Sequence, residues 1–562
     1  MTTPESPARP ARGAPPAASE PLAAVDHAWL RMDEPANLMQ INGVLVLAEP
    51  VDVERVREIV RERLLPIPRF RQKVVTAPGW MPRWEEDPDF DLDRHVLAAE
   101  LASPCDDDAL AAAVGELMSR PLDTGRPLWE FRLFQPFYPG GAAAGAGAHP
   151  AAADRAGARP LAAGPSSARP SATLGPGGCA LVGRIHHAIG DGVALMLVVL
   201  SLTDLTPSGP AAVVPQPDQP EDDGAPLAEP AADELPAAAP PVTAPAAGAP
   251  RGNPFTALFC DPARDLDRIR ALADEVMPDL MNLLTRPVEA MRRARLLTGI
   301  GSVGAFGRLV GRRADPPTPF KGPLGVPKLV AWSRPLPIAE VKQVGRALGG
   351  TLNDVLVATA AGALRRYLAR RGELSGRLDI RAAMPVNLRP LGRMAELGNH
   401  FGLVFLRLPL GIADPLRRLA ELRRRAWSLR RSTEPVVVYA ILRAIGRVPL
   451  AVQRLVVRIF ATKATLVMTN VPGPRRTLYL AGKPVRDFFF WVPQSGRVGL
   501  GISILSYDGN VRLGIGTDAG LVPDPGAIVE EFHAEFADLL RLARQGAEPA
   551  GPAHGLAAAA GR

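Results

Sequence analysis

The chain has 562 residues, with 65 lysines and arginines against 58 acidic residues and a net charge of +7. That length allows two or three ordinary domains, or two large halves that share one site. The positive balance suits the phosphates of a cofactor, anionic lipid or nucleic acid without choosing among them. Three scattered cysteines are too few for a disulfide framework or a zinc knuckle, the first 20 residues lack the apolar core of a secretory signal, and no apolar run reaches the roughly 18 residues that cross a bilayer.

Helices and strands alternate in the first part of the chain. Apolar periodicity predicts, in order, a helical turn at 26–30, a strand at 40–47, helices at 52–65 and 107–119, and a strand at 131–134. The stretch 81–96 is dense in prolines, acids and aromatic residues and contains His95. His95 is a candidate second catalytic histidine, but the role of a polar partner within a turn-rich segment fits this setting better.

Two adjacent histidines open the stretch HHAIGDG. The apolar residues 179–185 before it predict a buried strand, and the apolar run 193–202 after it predicts a buried helix. Asp191 or Gly192 should start that helix, where an aspartate side chain accepts unpaired backbone N–H groups. The histidines therefore lie where a strand ends and a helix begins, which is a common place for chemistry in α/β folds.

Neighbouring side chains of a strand point in opposite directions, so one imidazole faces a cavity while the other packs inward. We predict that His187 faces the cavity and His186 the interior. A neutral imidazole can take a proton from an alcohol or thiol at cellular pH, which makes His187 a candidate general base. Asp191 then fixes the loop by capping or by pairing with an arginine. Two alternatives are a metal site, for which no third and fourth ligand has recognisable spacing, and two buried structural histidines.

Two tracts rich in alanine, glycine, proline and serine interrupt the chain, at 139–178 and 207–250. They hold too few large apolar residues to order themselves, so we interpret the first as a surface insertion between adjacent strands and the second as a linker. Residues 286–313 contain seven arginines and one acid among apolar residues, a pattern that fits an anionic lipid surface or a solvated helix face equally well. The GxGxxG at 299–304 follows no strand, which argues against a dinucleotide site.

The second half repeats the alternation of helices and strands. Its predicted elements are strands at 328–333, 378–385, 403–408 and 465–468, helices at 338–348, 355–368, 415–431 and 527–543, and a hairpin of strands 499–506 and 511–517 across an Asp-Gly turn. Thr351 or Asn353 is the expected N-cap of the helix at 355–368. The arginines of 415–431 could hold phosphates, although a solvated charged face is the commoner explanation. The few aromatic residues do not form the stacking rows of single-strand nucleic-acid binders.

Six motifs occur in a fixed order along the chain, and together they resemble one family. They are Pro121-Leu122-Asp123 with Arg126-Pro127-Leu128-Trp129, the HHAIGDG stretch, Leu352-Asn353-Asp354-Val355, Pro385-Val386-Asn387-Leu388-Arg389, Gly398-Asn399-His400-Phe401-Gly402 and Asn470-Val471-Pro472-Gly473-Pro474. HHxxxDG resembles the signature of the superfamily of chloramphenicol acetyltransferases, peptide-synthetase condensation domains and bacterial wax ester synthase/acyl-CoA:diacylglycerol acyltransferases. The full set resembles the last of these over nearly all of 21–545, apart from the two low-complexity tracts. The insertion at 139–178 and Asn387, where serine is more usual, depart from that pattern.

The resemblance implies a mixed α/β fold in which two chloramphenicol-acetyltransferase-like sandwich halves form a pseudo-dimer with the site at their interface. It divides the chain into a disordered tail (1–20), a first half carrying HHAIGDG (21–206), a Pro/Ala-rich linker (207–255), a basic helical connecting segment (256–317), a second half (318–545) and a disordered tail (546–562).

The implied reaction is acyl transfer from a fatty acyl-CoA to the hydroxyl of diacylglycerol, giving triacylglycerol, or of a long-chain alcohol, giving a wax ester. By analogy His187 is the general base, and no covalent acyl-enzyme is needed because one base serves both substrates. Asn353 is the first candidate to stabilise the oxyanion and Asn470 the second, although helix capping explains Asn353 nearly as well.

The remaining site residues are also implied by the resemblance. His186, His187 and Asp191 form the catalytic motif, and Asp191 should orient its loop through Arg389 or Arg126, between which the sequence does not choose. The residues expected to bind substrate or support the site are Gly192, Asn353, Asp354, Asn470 and Arg389.

No metal and no cofactor is expected, since acyl-CoA is a substrate. The expected partners are acyl-CoA, diacylglycerol or a long-chain alcohol, and a lipid surface, but not nucleic acid. The expected location is cytoplasmic, at the periphery of the inner membrane or of lipid inclusions. Two alternatives stay open: an enzyme of the same fold whose acceptor is an amine or a polyketide hydroxyl, and a non-catalytic lipid-binding protein.

Overall fold

The computed structural model describes residues 19–77, 81–140, 177–208, 311–388, 397–430, 432, 434–494 and 496–547. The predicted tails, the insertion at 139–178, the linker and the connecting segment at 256–317 lie wholly or largely outside these ranges. So does Arg389, for which the sequence predicted a site role.

The first sheet has six strands, and its central strand ends at the histidines. In spatial order its strands are β13 (Tyr479–Leu480), β14 (Lys483–Trp491), β2 (Gln40–Leu47), β7 (Gly178–His186), β6 (Trp129–Phe137) and β5 (Val96–Ala99). Strands β2 and β7 are antiparallel, with Gln40 opposite His186. Because apolar side chains occur on both faces of β2 and β7, helices cover both sides: α2 (Val53–Arg63) on one and α3 (Asp107–Met118) on the other.

The second sheet has seven strands. In spatial order they are β11 (Phe401–Leu408), β10 (Ile380–Asn387), β12 (Leu466–Val471), β15 (Leu500–Tyr507), β16 (Asn510–Asp518) and β8 (Lys328–Trp332), with β9 (Leu336–Pro337) also paired to β16. One face is covered by α5 (Ile338–Leu348), α6 (Leu352–Arg370), α7 (Pro415–Arg430) and α10 (Pro525–Ala547). Against the other face packs α8 (Glu434–Ile445), which is followed by α9 (Leu450–Ala461). A third, small sheet joins β1 (Glu20–Pro21), β4 (Arg83–Glu86) and β3 (Gln72–Val75).

The predicted mixed α/β architecture of two sandwich-like halves is confirmed. The boundary predicted at 318 divides the chain in sequence but does not separate the two sheets. Strands β13 and β14 follow residue 318 and yet extend the first sheet, because β14 pairs with β2 and β13 pairs with β14. The crossover strand β14 therefore ties the two halves together.

Helix α1 (Ala24–Met32) belongs to the first half but packs against α8 and α9 of the second. A Cβ at Gly446 would lie 1.6 Å from the Ala24 carbonyl oxygen, so only glycine permits this approach. Buried Gln453 donates from Nε2 to the Ala28 carbonyl at 2.8 Å, and Arg31 donates to the Val448 carbonyl at 2.9 Å. These bonds hold α1 in a fixed position at the junction.

Across the described ranges no single helix has the length and hydropathy to cross a membrane. Taken together α5 and α6 do, but they are bent by 94° and their apolar side chains lie in the core of the second half.

Candidate active site at the junction of the two halves

Two loops from different halves meet at the predicted site. The first follows β7 and runs from His187 to Gly192 (the start of α4, Gly192–Ser201); the second, Gly398 to His400, precedes β11. The Gly398 N–H donates to the Ile189 carbonyl at 3.1 Å, and the Asp191 N–H donates to the Gly398 carbonyl at 3.3 Å. Gly398 has φ +97, a conformation that favours glycine. The backbone itself therefore joins the halves beside the histidines.

His187 is fixed by Asn399 of the second loop. Its Nδ1 lies 2.8 Å from Asn399 Oδ1. The amide nitrogen of Asn399 donates to two acceptors, Asp26 Oδ1 and the His187 carbonyl, each at 2.7 Å. Because that nitrogen must face acceptors, the amide oxygen must face the ring, and Nδ1 must carry the hydrogen. Nε2 is then the unprotonated, basic nitrogen of His187.

The His187 ring is packed between aromatic side chains and is 7% exposed. Trp29 of α1 stacks on it with ring centroids 4.3 Å apart, and Phe401 lies 5.5 Å away. Burial lowers the pKa of His187 to about 4, against a smaller opposing effect of the Asp191 charge. The imidazole is therefore neutral at cellular pH, which is the state that a general base needs.

Asp26 of α1 completes the group around Asn399. Its Oδ1 accepts from both the backbone N–H and the side-chain amide of Asn399, at 3.2 and 2.7 Å. Burial raises the pKa of Asp26 to about 6, although the bonds from Asn399 and the charge of Arg69 oppose that shift. The sequence placed Asp26 in a predicted helical turn but gave it no site role.

His186, at the end of β7, is buried as well. It is 2% exposed, and its Nδ1 accepts from the Ala188 N–H at 3.0 Å. Its backbone N–H donates to the carbonyl of Leu128, in the Arg126–Trp129 motif, at 3.0 Å. Among the described residues Nε2 has no hydrogen-bond partner, and Asp33 Oδ1 lies 3.8 Å from it. These contacts support the shape of the loop that carries His187.

Asp191 links the two loops through its side chain. Its Oδ2 accepts from the His400 N–H at 3.1 Å. Arg126, one of the two arginines predicted to pair with it, lies instead 3.4 Å from Asp123 at the surface. Gly192 is the first residue of α4, as expected for the start of the helix.

Asn353, Asp354 and Asn470 form a second polar group in the other half. Thr351, not Asn353, caps α6: its hydroxyl accepts from the Asp354 N–H at 3.2 Å, and Asp354 Oδ2 accepts from the Thr351 N–H at 3.0 Å. Asn353 is therefore not needed for capping, and its Oδ1 accepts from Asn470 Nδ2 at 2.9 Å. Within the described ranges neither asparagine hydrogen-bonds to His187.

Two other predicted candidates have structural explanations. His95 is buried and its ring stacks on that of Trp129. His95 Nδ1 lies 2.7 Å from the Trp129 carbonyl oxygen, so His95 is a polar partner in the core. Around α7, arginines line a cavity of about 460 Å³. Each of these arginines has an acidic partner: the pairs are Arg312–Glu434, Arg381–Asp315, Arg407–Asp379, Arg424–Glu421 and Arg425–Glu421.

In the part of the chain that the structure describes, no cluster of His, Cys, Asp or Glu could hold a metal ion.

Known structures share the fold. A wax ester synthase/diacylglycerol acyltransferase from Marinobacter aquaeolei VT8 superimposes with a TM-score of 0.58 over 93% of this chain and 100% of that one, at 18% identity. The first condensation domain of the CDA synthetase matches with a TM-score of 0.50 over 93% and 96% of the two chains, at 14% identity. The chain therefore has the same two-lobed fold as these structures.

Sequence comparisons identify the family. The model of the wax ester synthase/diacylglycerol acyltransferase catalytic domain matches residues 22–178 and 174–356, and that of the WS/DGAT C-terminal domain matches 397–540. The chain belongs to the wax ester synthase/diacylglycerol acyltransferase family and is an acyltransferase, as its motifs predicted.

Two relatives come from Mycobacterium tuberculosis. A putative diacylglycerol O-acyltransferase is 28% identical over 509 residues, covering 88% of this chain and 90% of the relative. A probable diacylglycerol O-acyltransferase, tgs1, is 24% identical over 514 residues, covering 90% and 92%. The similarity therefore extends over nearly the whole of each protein.

Proposed function

We propose that the enzyme transfers a fatty acyl group from acyl-CoA to the hydroxyl of diacylglycerol or of a long-chain alcohol, with His187 as the general base. The observation that carries this proposal is the 2.8 Å contact between His187 Nδ1 and Asn399 Oδ1, which leaves Nε2 basic on a buried, neutral ring. The names of the relatives, diacylglycerol O-acyltransferases, support the class of acceptor.

One base serves both steps of the proposed reaction. His187 Nε2 takes the hydroxyl proton while the oxygen attacks the thioester carbonyl, so that an O–H bond breaks, a C–O bond forms and the carbonyl becomes an oxyanion. Collapse of that intermediate breaks the C–S bond, and the proton on Nε2 passes to the departing thiolate. The products are the ester and free CoA, and no acyl-enzyme forms.

The residues around His187 favour the imidazolium that forms between these steps. Asn399 Oδ1 accepts from Nδ1–H, and this hydrogen bond strengthens when the ring becomes charged. The Asp191 charge also raises the pKa of His187 relative to burial alone. A ring that is neutral before reaction and stabilised once protonated suits a base that must hold a proton only transiently.

Asn353 and Asn470 remain the proposed donors to the oxyanion. The bond from Asn470 Nδ2 engages the oxygen of Asn353, which keeps the amide hydrogens of Asn353 as donors. Gly192, Asp354 and Arg389 keep their proposed supporting roles. We further propose a cytoplasmic location at the inner membrane or at lipid inclusions, because the acceptors are insoluble in water and the chain carries a net charge of +7.

The test is acyl transfer from palmitoyl-CoA by wild type and by His187→Ala, with diacylglycerol and hexadecanol offered separately. Loss of the base should lower kcat/KM by about 10²–10⁴-fold. His533→Ala on α10 is the matched control, since His533 lies outside the site, and it should retain the wild-type rate. A folded wild type that esterifies neither acceptor would overturn the neutral-lipid assignment and favour an amine or polyketide acceptor.

A further inference from the structure

A stretch without acids follows Glu434. Residues 435–486 contain nine lysines and arginines and no aspartate or glutamate. Four exposed arginines of this stretch lie on α8, on α9 or between them: Arg443, Arg447, Arg454 and Arg458. Arg454 and Arg458 are one turn apart on α9, so their side chains emerge on the same side of the helix.

Large apolar side chains are exposed on the same helix. Seven large hydrophobic residues are exposed in the described ranges. Three of them, Leu450, Val452 and Leu455, lie in the first six residues of α9 and are 39%, 45% and 55% exposed. Single exposed apolar residues are ordinary, but a cluster of them among arginines marks an interaction surface. We call the outward-facing side chains of Arg447, Leu450, Val452, Arg454, Leu455 and Arg458 the α9 surface.

The charge of the α9 surface indicates what it binds. Across from it, Glu34 lies 3.7 Å from Arg454, but both side chains are more than half exposed, so their attraction is weak. Glu434, at the start of α8, is already paired with Arg312. Arginines interleaved with leucine and valine suit a layer with anionic head groups above an apolar interior.

The inner side of α9 leads to the catalytic histidine. Gln453, between Val452 and Arg454, is buried and donates to the Ala28 carbonyl of α1. The next residue of α1, Trp29, stacks on His187 at 4.3 Å. One short helix thus separates the α9 surface from the reacting ring.

We propose that the α9 surface docks the enzyme on an anionic phospholipid bilayer and brings the His187 junction next to lipid held in that bilayer. The role for the lipid substrate rests on the proposed function, whereas the docking itself does not. Each arginine near an anionic surface favours binding about fivefold, so three of them contribute about a hundredfold.

The test is co-sedimentation of the full chain with vesicles of phosphatidylcholine alone and of phosphatidylcholine mixed equally with phosphatidylglycerol. Two variants remove the charge (Arg447→Gln, Arg454→Gln and Arg458→Gln together) or the apolar side chains (Leu450→Ser, Val452→Ser and Leu455→Ser together). A control with the same loss of charge carries Arg417→Gln, Arg424→Gln and Arg541→Gln, all exposed and on other helices. Circular dichroism and sedimentation equilibrium establish that every variant is folded and report its oligomeric state.

Wild type and the control should bind the phosphatidylglycerol vesicles, and the charge variant should bind about a hundredfold less. The apolar variant should also bind less, and its remaining binding, which rests on the arginines, should depend on salt at least as strongly as that of wild type. Esterification of diacylglycerol within vesicles should fall in both variants, while esterification of a short alcohol in solution should not. Equal binding by wild type and the charge variant overturns the proposal, as does a change in oligomeric state without a change in vesicle binding, which assigns the surface to a second copy of the chain. Vesicle binding can be scored even if no acceptor is esterified, so the two proposals fail separately.

Discussion

Replacing Asn399 with leucine tests whether the second half of the chain positions the proposed base, His187. Leucine has a similar volume but cannot accept from His187 Nδ1 or donate to Asp26 and to the His187 carbonyl, contacts that measure 2.8, 2.7 and 2.7 Å. Without the acceptor the Nδ1–H tautomer is no longer favoured, and the ring loses its fixed orientation. We expect a lower kcat and an almost unchanged KM, because Asn399 acts through His187.

The size of the expected loss of kcat follows from the hydrogen bond between His187 Nδ1–H and Asn399 Oδ1, which strengthens during the proposed reaction. A hydrogen bond to a charged group is worth about 1.5–3 kcal/mol, and the Nδ1–H bond becomes charged only when His187 is protonated. At about 1.36 kcal/mol for each factor of ten, its loss should lower kcat about 10- to 150-fold. The variant should also be less stable by about 1–3 kcal/mol, because Asp26 is left buried with fewer donors.

The assay is steady-state acyl transfer across pH, with unfolding by denaturant to measure stability. Asn399→Asp is the companion variant, because it keeps an acceptor for Nδ1–H. Its second carboxyl oxygen faces Asp26 Oδ1, so this carboxyl group and that of Asp26 should share one proton. The variant should retain more activity than Asn399→Leu. A folded leucine variant that turns over at the wild-type rate, or two variants whose rates follow stability alone, would refute the positioning role.

Three further predictions concern neighbouring residues. Burial lowers the pKa of His187 to about 4, so protonation of His187 destabilises the fold as pH falls from 6.5 to 4. Burial raises the pKa of Asp26 to about 6, so protonation of Asp26 adds stability as pH falls from 6 to 3.8. The Asp26→Asn variant lacks this gain, and on acidification its free energy of unfolding, measured with denaturant at each pH, should fall by about 3 kcal/mol more than that of wild type. Thr351→Ala removes the cap of α6 and should cost about 1 kcal/mol of stability with kcat/KM unchanged. Trp29→Leu removes the stack on His187 and should lower kcat about 2- to 10-fold, in line with the energy of an aromatic pair; an unchanged kcat would contradict a role for the stack.

Elements with local signals were predictable from the sequence. Strand β2 and helix α5 have the predicted bounds, because apolar periodicity is a property of the segment itself. The hairpin of β15 and β16 turns at Asp508 and Gly509, which both have positive φ, as the Asp-Gly signal requires.

Elements defined by distant contacts were not predictable. Helices α8 and α9 were not predicted, although the buried residues Val438, Leu442 and Ile445 of α8 recur at helical spacing; their packing on β11 and α1 became visible only in the structure. Strand β14 was missed because its pairing with β2 joins segments more than 400 residues apart in sequence. The contact between Asn399 and Asp26 spans 373 residues. The motif Gly398-Asn399-His400-Phe401-Gly402 carried a resemblance to the family but no assigned role.

The side chains around His187 come from both halves of the chain. His187 comes from the first half, but the asparagine that sets its tautomer comes from the second, and Asp26 binds that asparagine from α1. Helix α1 is itself held by α8 and α9 of the second half. Neither half alone therefore contains a histidine with a defined basic nitrogen, and any change that separates α1 from α9 releases Trp29 and Asp26 together. The junction, more than either sandwich, sets the orientation and the tautomer of His187.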